Sequence, residues 1–338
     1  LSTIPLRATS GQPLPIAFRY DAHAAAHDPR LLGVFALGPG AGVGLCDAAA
    51  VRLPLPSHDG AVHYERWLGG ATPVTTREAF EARIRENGEL QLAVWTLDEA
   101  AHGGLEAASE AVYRQIAALV ADGGYPHLVK IWHYLGAIND NPNPADPDAE
   151  RYRRFCVGRA RALDPALPLP AATAVGIQGA PDQLIVFALA AKVPGTRIEN
   201  PRQVPAYEYP RAYGPVSPSF SRAMLMPWGQ LFVSGTAAVV GHESKHPENT
   251  GAQLRELALN LDALVARAET LGGQRLQPAA LKIYVRRRDD LAEVEALAAR
   301  LFPADCPRLT VLADISRAEL RVEVEALYAP LSGAEPGA

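Results

Sequence analysis

The chain has 338 residues, enough for two domains of ordinary size, and 48% of them are hydrophobic, which supports well-packed cores. A formal net charge of −5 and a pI near 6.0 argue against nucleic acid or an anionic membrane as the main partner and point to a small molecule. Cys46, Cys156 and Cys306 are odd in number and lack C-x-x-C spacing, and no run reaches membrane-spanning length or resembles a leader, so the expected location is the cytoplasm.

Residues 1–30 are rich in Pro and Ala, and only residues 14–20 read as a strand. Residues 31–37 form a short apolar strand that runs into glycines between Gly38 and Gly44. A dinucleotide loop needs a helix directly after its glycines, but Val51-Arg52-Leu53-Pro54-Leu55-Pro56 follows, so a glycine turn between strands is expected. Residues 61–69 and 90–97 have strand character. Residues 105–121 make an amphipathic helix with Ala108, Val112, Ile116 and Leu119 on one stripe, ended by Asp122-Gly123-Gly124. A buried strand follows at 128–135, then a helix at 148–163 and a closing strand at 183–191.

Residues 194–218, rich in Pro, Tyr and polar groups, read as an ordered connection between an elaborated N-terminal domain, 1–193, and a C-terminal domain, 219–338. The second domain reads as strand 230–236, helix 252–271, strand 281–285, helix 291–302 and strand 320–327. Lys130-Ile131 and Lys282-Ile283 each open a strand after a helix that stops at Gly-Gly, which implies an internal repeat. The expected class is α+β, with two β-β-α-β-α-β domains whose mixed sheets pack against helices.

In the last strand side chains alternate, so Glu323 and Glu325 share one face while Val322, Val324 and Ala326 share the other. His242-Glu243-Ser244-Lys245-His246 matches H-E-x-x-H, which holds zinc when both histidines sit one helical turn apart. Gly241 precedes it and Pro247 follows at once, so no helix spans it and a polar loop is expected. Arg151, Phe155 and Arg159 fall on one side of the 148–163 helix, with Tyr152 and Cys156 adding apolar character. Arginines at its buried edge suit an anionic ligand, as do Arg202 and Arg222 interleaved with Tyr207, Tyr209 and Tyr213.

The order of the second half, with Phe232-Val233-Ser234-Gly235, Lys282-Ile283-Tyr284-Val285, Phe302-Pro303-Ala304 and Val322-Glu323-Val324-Glu325-Ala326, resembles the RidA (YjgF) superfamily of small trimeric enamine/imine deaminases. In that superfamily the first Glu of the closing run lies in the ligand pocket. An Arg usually follows F-P-A; here Asp305 stands there, which argues against simple imine deamination. A closer resemblance, to the chorismatases, rests on Ile131-Trp132, on Glu150-Arg151-Tyr152 through Cys156-Val157-Gly158-Arg159-Ala160-Arg161-Ala162 and on Asn200-Pro201-Arg202-Gln203-Val204. It also rests on Ser217-Pro218-Ser219-Phe220-Ser221-Arg222-Ala223, and on Val233-Ser234-Gly235-Thr236-Ala237 with Gly241-His242-Glu243-Ser244.

That resemblance implies cleavage of the enol ether of chorismate, releasing pyruvate and leaving a dihydroxycyclohexadiene carboxylate or a 3- or 4-hydroxybenzoate. Such cleavage needs an acid of raised pKa to protonate the methylene carbon. Glu323 suits that role, with Glu325 as fallback or as a charged neighbour that tunes it. Arg159 and Arg202 are the first candidates to anchor the dianion, with Arg222 next; Tyr209 and Tyr213, and Tyr152 on the first-domain helix, complete the expected pocket. Ser316 stands seven residues before Glu323, where the 3-hydroxybenzoate producers are expected to have Cys, and Ala237 and Ala238 shape the pocket. No cofactor and no metal are called for. Because RidA relatives form trimers with sites between subunits and this chain carries two copies, a monomer with its pocket at the domain junction is expected. Two other classes are open: a non-catalytic binder of small aromatic acids, and a zinc hydrolase through His242, Glu243 and His246.

Overall fold

The computed structural model describes residues 14–22, 28–38, 50–70, 72–164 and 167–331. Apart from Gly38, the glycine run and Cys46 lie outside them. A four-stranded sheet, in the order β1-β4-β2-β3, contains β1 (Ile16–Asp21), β2 (Leu31–Leu37), β3 (Ala50–Leu53) and β4 (His63–Gly69). The first copy of the repeat follows as β5 (Thr75–Ala79), β6 (Ala82–Glu86), β7 (Leu90–Asp98), α1 (Leu105–Ala121), β8 (His127–Gly136), α2 (Arg151–Ala162), β9 (Ala171–Ile177) and β10 (Gln183–Ala191). The second comprises β11 (Thr196–Ile198), β12 (Ala223–Leu225), β13 (Leu231–Ala237), the short hairpin β14 (Val239–Val240) and β15 (Glu243–Ser244), and α3 (Thr250–Gly272). It continues through β16 (Leu276–Val285), α4 (Leu291–Leu301), β17 (Arg308–Leu312), β18 (Asp314–Ile315) and β19 (Val322–Pro330).

The repeat is visible in strand order. The first large sheet runs β18-β9-β8-β10-β7-β6-β5 and the second β11-β12-β13-β19-β16-β17, so β9-β8-β10-β7-β6 matches β17-β16-β19-β13-β12 strand for strand. In both, the strands flanking the second helix pair in parallel, β8 with β9 and β16 with β17. The copies interlock, because β18 from the second half pairs with β9 of the first sheet.

Each large sheet is buried on both faces. Ile131, Leu135 and Val186 pack under Val112 and Ile116 of α1, while Val322, Val324 and Ala326 pack under Leu254, Leu257 and Leu261 of α3. The opposite faces meet each other and the four-stranded sheet in one larger core that includes Phe35, Trp67, Trp132, Tyr134 and Tyr284. The alternation in the last strand therefore sends Glu323 and Glu325 into the layer between the sheets, not into water. Register shows how the copies diverged. Lys130 lies opposite Leu189 and Trp132 opposite Phe187, whereas Lys282 lies opposite Glu325 and Tyr284 opposite Glu323. The first copy thus has Phe187 and Leu189 where the second has its two carboxylates.

Several strands escaped the sequence reading, among them the β5–β6 hairpin, β9 and β17. The β5–β6 hairpin turns on Phe80 and Glu81, both at positive φ (52° and 57°), with none of the Gly or Asn that signals such a turn. In β9 the run Ala-Ala-Thr-Ala-Val-Gly-Ile is small because the second copy approaches it closely: Ala172 N–H donates to Ser234 Oγ at 2.8 Å. The helix expected over 148–163 begins only at Arg151, after a short 3-10 turn over Pro147–Ala149 capped by Asp146.

Candidate active site

A cavity of about 490 Å³ opens where the two copies meet. The first copy supplies Asn139, Glu150, Tyr152 and Arg153; the connection supplies Gln203, Tyr209, Tyr213 and Pro218; the second copy supplies Phe220, Arg222, Gly235, Ala237, residues 316–320 and Glu323. A β-bulge makes room for it. Val233 pairs with Ala326 and Thr236 with Val324, leaving Ser234 and Gly235 opposite Glu325 alone. The bulge is pinned from the first copy, since Gly235 N–H donates to Thr173 Oγ1 at 3.1 Å and Ala172 N–H donates to Ser234 Oγ. A Cβ at position 235 would lie 2.0 Å from Glu323 Oε1, so glycine there lets the carboxyl keep its place.

The two carboxylates of β19 have opposite environments. Glu325 is the acceptor of four hydrogen bonds or ion pairs: Lys130 Nζ at 3.0 Å and Thr173 Oγ1 at 2.7 Å on one oxygen, Lys282 Nζ at 2.9 Å and Tyr284 Oη at 3.0 Å on the other. Burial alone would raise its pKa, but the two ammonium groups outweigh burial and hold it well below the usual carboxylate range. Lys282 Nζ also lies 2.5 Å from Glu65 of β4, whose other oxygen accepts from Trp67 Nε1. Two lysines and two glutamates thus form a buried quartet with balanced charge. Glu323, two residues earlier, faces the cavity with no ion-pair partner among the described residues. Burial first, and then the negative charge of Glu325, push its pKa up to about 8.

Two cations complete the cavity. Arg222 lies between the Phe220 and Tyr209 rings and donates from Nη2 to Tyr209 Oη at 2.6 Å and Val204 O at 2.9 Å, leaving its buried Nε without an acceptor among the described residues. Arg317 stacks on Tyr213, 4.0 Å from guanidinium carbon to ring centre, and donates from Nη1 to His242 O at 2.9 Å. Its buried Nη2 has no acceptor among the described residues. Sequence reasoning missed Arg317. Its only signal there is its place beside Ser316, six residues before Glu323, in a loop without periodicity.

Of the residues singled out in the sequence, Glu323, Arg222, Tyr152, Tyr209, Tyr213, Ser316 and Ala237 line the cavity. Four others do not. Arg159 is 1% exposed, enclosed by the rings of Tyr113 and Phe155 behind α2, because the helix face that carries it is turned into the first-copy core. Arg202 is turned toward α3, where Glu256 Oε1 and Asn260 Oδ1 each take its guanidinium at 2.5 Å. Ala238 is buried beneath the chain, its carbonyl accepting from Lys245 N–H. Glu325 is sealed in the quartet, so the fallback role as proton donor does not suit it. Asp305 is exposed on the surface.

Residues 242–246 form a hairpin and turn, and their side chains diverge. His242 Nδ1 lies 3.2 Å from Tyr213 Oη, Glu243 pairs with Lys245, and His246 Nε2 lies 3.0 Å from Glu256. Among the described residues no three His, Cys, Asp or Glu side chains converge as a metal site would require.

The family described as "Chorismatase FkbO/Hyg5-like, N-terminal" matches residues 65–190. A chorismatase of Streptomyces rapamycinicus is 39% identical over 246 residues, 67% of this chain and 71% of that protein. A 3-hydroxybenzoate synthase of Streptomyces hygroscopicus is 36% identical over 237 residues, 64% of this chain and 68% of that protein. The crystal structure of a chorismatase superposes with a TM-score of 0.82 at 29% identity, covering 97% of this chain and 100% of the other. With sequence relatives, matched family and whole-chain fold in agreement, the chain belongs to the chorismatase family.

Proposed function

We propose that the protein cleaves the enol ether of chorismate, releasing pyruvate and a dihydroxycyclohexadiene carboxylate or a hydroxybenzoate. The observation that carries this reading is a buried carboxyl raised to about 8, facing a cavity that also presents two arginines with unused N–H groups. At neutral pH Glu323 holds a proton. Delivered to the terminal methylene of the enolpyruvyl group, that proton makes an oxocarbenium ion, which water or a ring hydroxyl traps before the adduct collapses to pyruvate. The substrate is a dianion, and Arg222 and Arg317 are its anchors, with Tyr209 and Tyr213 holding both guanidinium groups in place. Ser316 and Ala237 lie on the cavity wall, where they shape which nucleophile reaches the cation. Pyruvate release on mixing with chorismate tests the reading. In heavy water the pyruvate should carry one solvent deuterium in its methyl group, and pyruvate without it would refute protonation at carbon.

The anchoring has its own expected result. Arg317→Ala and Arg222→Ala should each raise KM roughly ten- to a hundredfold, the usual loss for a hydrogen bond to a charged group. Arg202→Ala, whose guanidinium serves Glu256 and Asn260, should leave KM where it is; steady-state pyruvate assays separate the two cases.

The division of the chain at residues 193 and 219, a monomeric state and a cytoplasmic location belong to the same proposal. Both copies within one chain line the cavity, as a monomeric enzyme would require. Cys156 and Cys306 are buried free thiols, which suits a reducing compartment. No helix among the described residues is long and apolar enough to cross a membrane.

A further inference from the structure

Arg286, the residue after β16, shares the inward face of Lys282 and Tyr284 but stops short of the cavity. A guanidinium has five N–H donors, and all five of this one are used. Nε donates to Leu320 O at 2.8 Å, Nη1 to Asp314 Oδ1 at 2.8 Å and Asn139 Oδ1 at 2.9 Å, and Nη2 to Ile315 O at 2.7 Å and Arg317 O at 3.0 Å. Asn139, from the first copy, adds donors to Ile315 O at 3.0 Å and Ser316 O at 3.3 Å. Three carbonyls of the irregular loop after β18, those of residues 316, 317 and 320, and that of Ile315 at the end of β18 are therefore held by two side chains from different copies.

That loop has no strand partners of its own between β18 and β19, yet it carries Ser316 and Arg317 into the cavity. A loop without ladder bonds keeps a defined shape only if its carbonyls find fixed donors. We propose that Arg286, braced by Asn139, is the positioning residue of this site: it does not touch the substrate, but it sets where Ser316 and Arg317 stand and so governs both carboxylate binding and the choice of nucleophile. The arrangement also gives the first copy, which lacks the carboxylates, a part in the reaction.

This inference rests on the chorismate-cleaving reading, and one experiment separates the two. Pyruvate release and product composition are measured for the full chain, for Arg286→Lys, for Arg286→Ala with and without millimolar guanidinium, and for Asn139→Ala. Arg286→Lys keeps a charge but loses the fork, so KM should rise roughly tenfold or more, as for an Ångström-scale misplacement of a binding group. kcat should fall less, because Glu323 sits on β19, and the ratio of diene-diol to hydroxybenzoate should shift. Guanidinium should restore part of the KM and the ratio in Arg286→Ala. Asn139→Ala should move both in the same direction by less, and it stands in for Arg286→Ala if that variant does not fold. Wild-type turnover with KM and product ratio unchanged in Arg286→Lys and Asn139→Ala would overturn the inference, even with a lowered melting temperature. A wild type that releases no pyruvate would instead overturn the proposed function.

Discussion

Glu323→Gln is expected to lower kcat by roughly 10²-fold or more, the range for loss of a general acid, while leaving KM near its wild-type value. The amide keeps the shape of the side chain against Gly235 but has no acidic proton to give. Glu325→Gln acts differently, because it removes the negative charge that two lysines neutralise and disturbs the quartet; its main effect should be on stability. Wild-type kcat/KM should be highest with Glu323 protonated, hence level below about pH 8 and falling about tenfold per pH unit above it. The same carboxyl affects stability. Its folded pKa lies above the unfolded value of 4.5, so between 4.5 and about 8 the folded state binds the extra proton, and stability falls as pH rises through that window. Glu323→Gln removes this cost, and at pH 9, above both values, it should be more stable than wild type by of order 5 kcal/mol. Denaturant titrations at pH 6 and 9, run beside the rate profiles, check both effects; a rate that climbs above pH 8 would remove Glu323 from the donor role.

Lys282→Met should destabilise the fold by about 3–5 kcal/mol, the usual cost of stranding a buried charge. Lys282 Nζ reaches Glu65 on β4 and Glu325 on β19, and without it Glu65 has no ion-pair partner among the described residues while Glu325 keeps Lys130 alone. All four side chains lie in the layer between the sheets, with Lys282 at 2% and Glu65 at 1% exposure, so water cannot compensate. Adding Glu65→Leu removes a matched pair of charges and should recover much of the loss, because replacing a complete buried pair costs far less than breaking one. Urea unfolding midpoints of the single and double variants give the comparison. Equal midpoints for Lys282→Met and wild type would mean that the quartet contributes nothing to the junction.

Much of the framework was legible in one dimension. Strand alternation alone puts Glu323 and Glu325 on one face, and helices that stop at Gly-Gly before Lys-Ile show the repeat, because period and punctuation are local properties of the chain. Proline after H-E-x-x-H likewise removes the helix that zinc would need. What lies against each face is not local. The α2 pattern marks Arg159 as sitting near a buried edge, but only packing shows that Tyr113 and Phe155 enclose it and keep it off the cavity wall. Arg202 and Arg222 look alike in sequence; α3 offers Glu256 to one, and the cavity takes the other. Arg317 lies in an aperiodic loop whose shape depends on Arg286 and on Asn139, 147 residues away from each other. Likewise, two glutamates on one face of β19, either side of Val324, titrate in opposite directions because Lys130 and Lys282 arrive from separate strands to meet Glu325 and leave Glu323 unpaired. Residue type and period set the candidates, and long-range contacts, made only when the elements pack, decided which of them line the cavity.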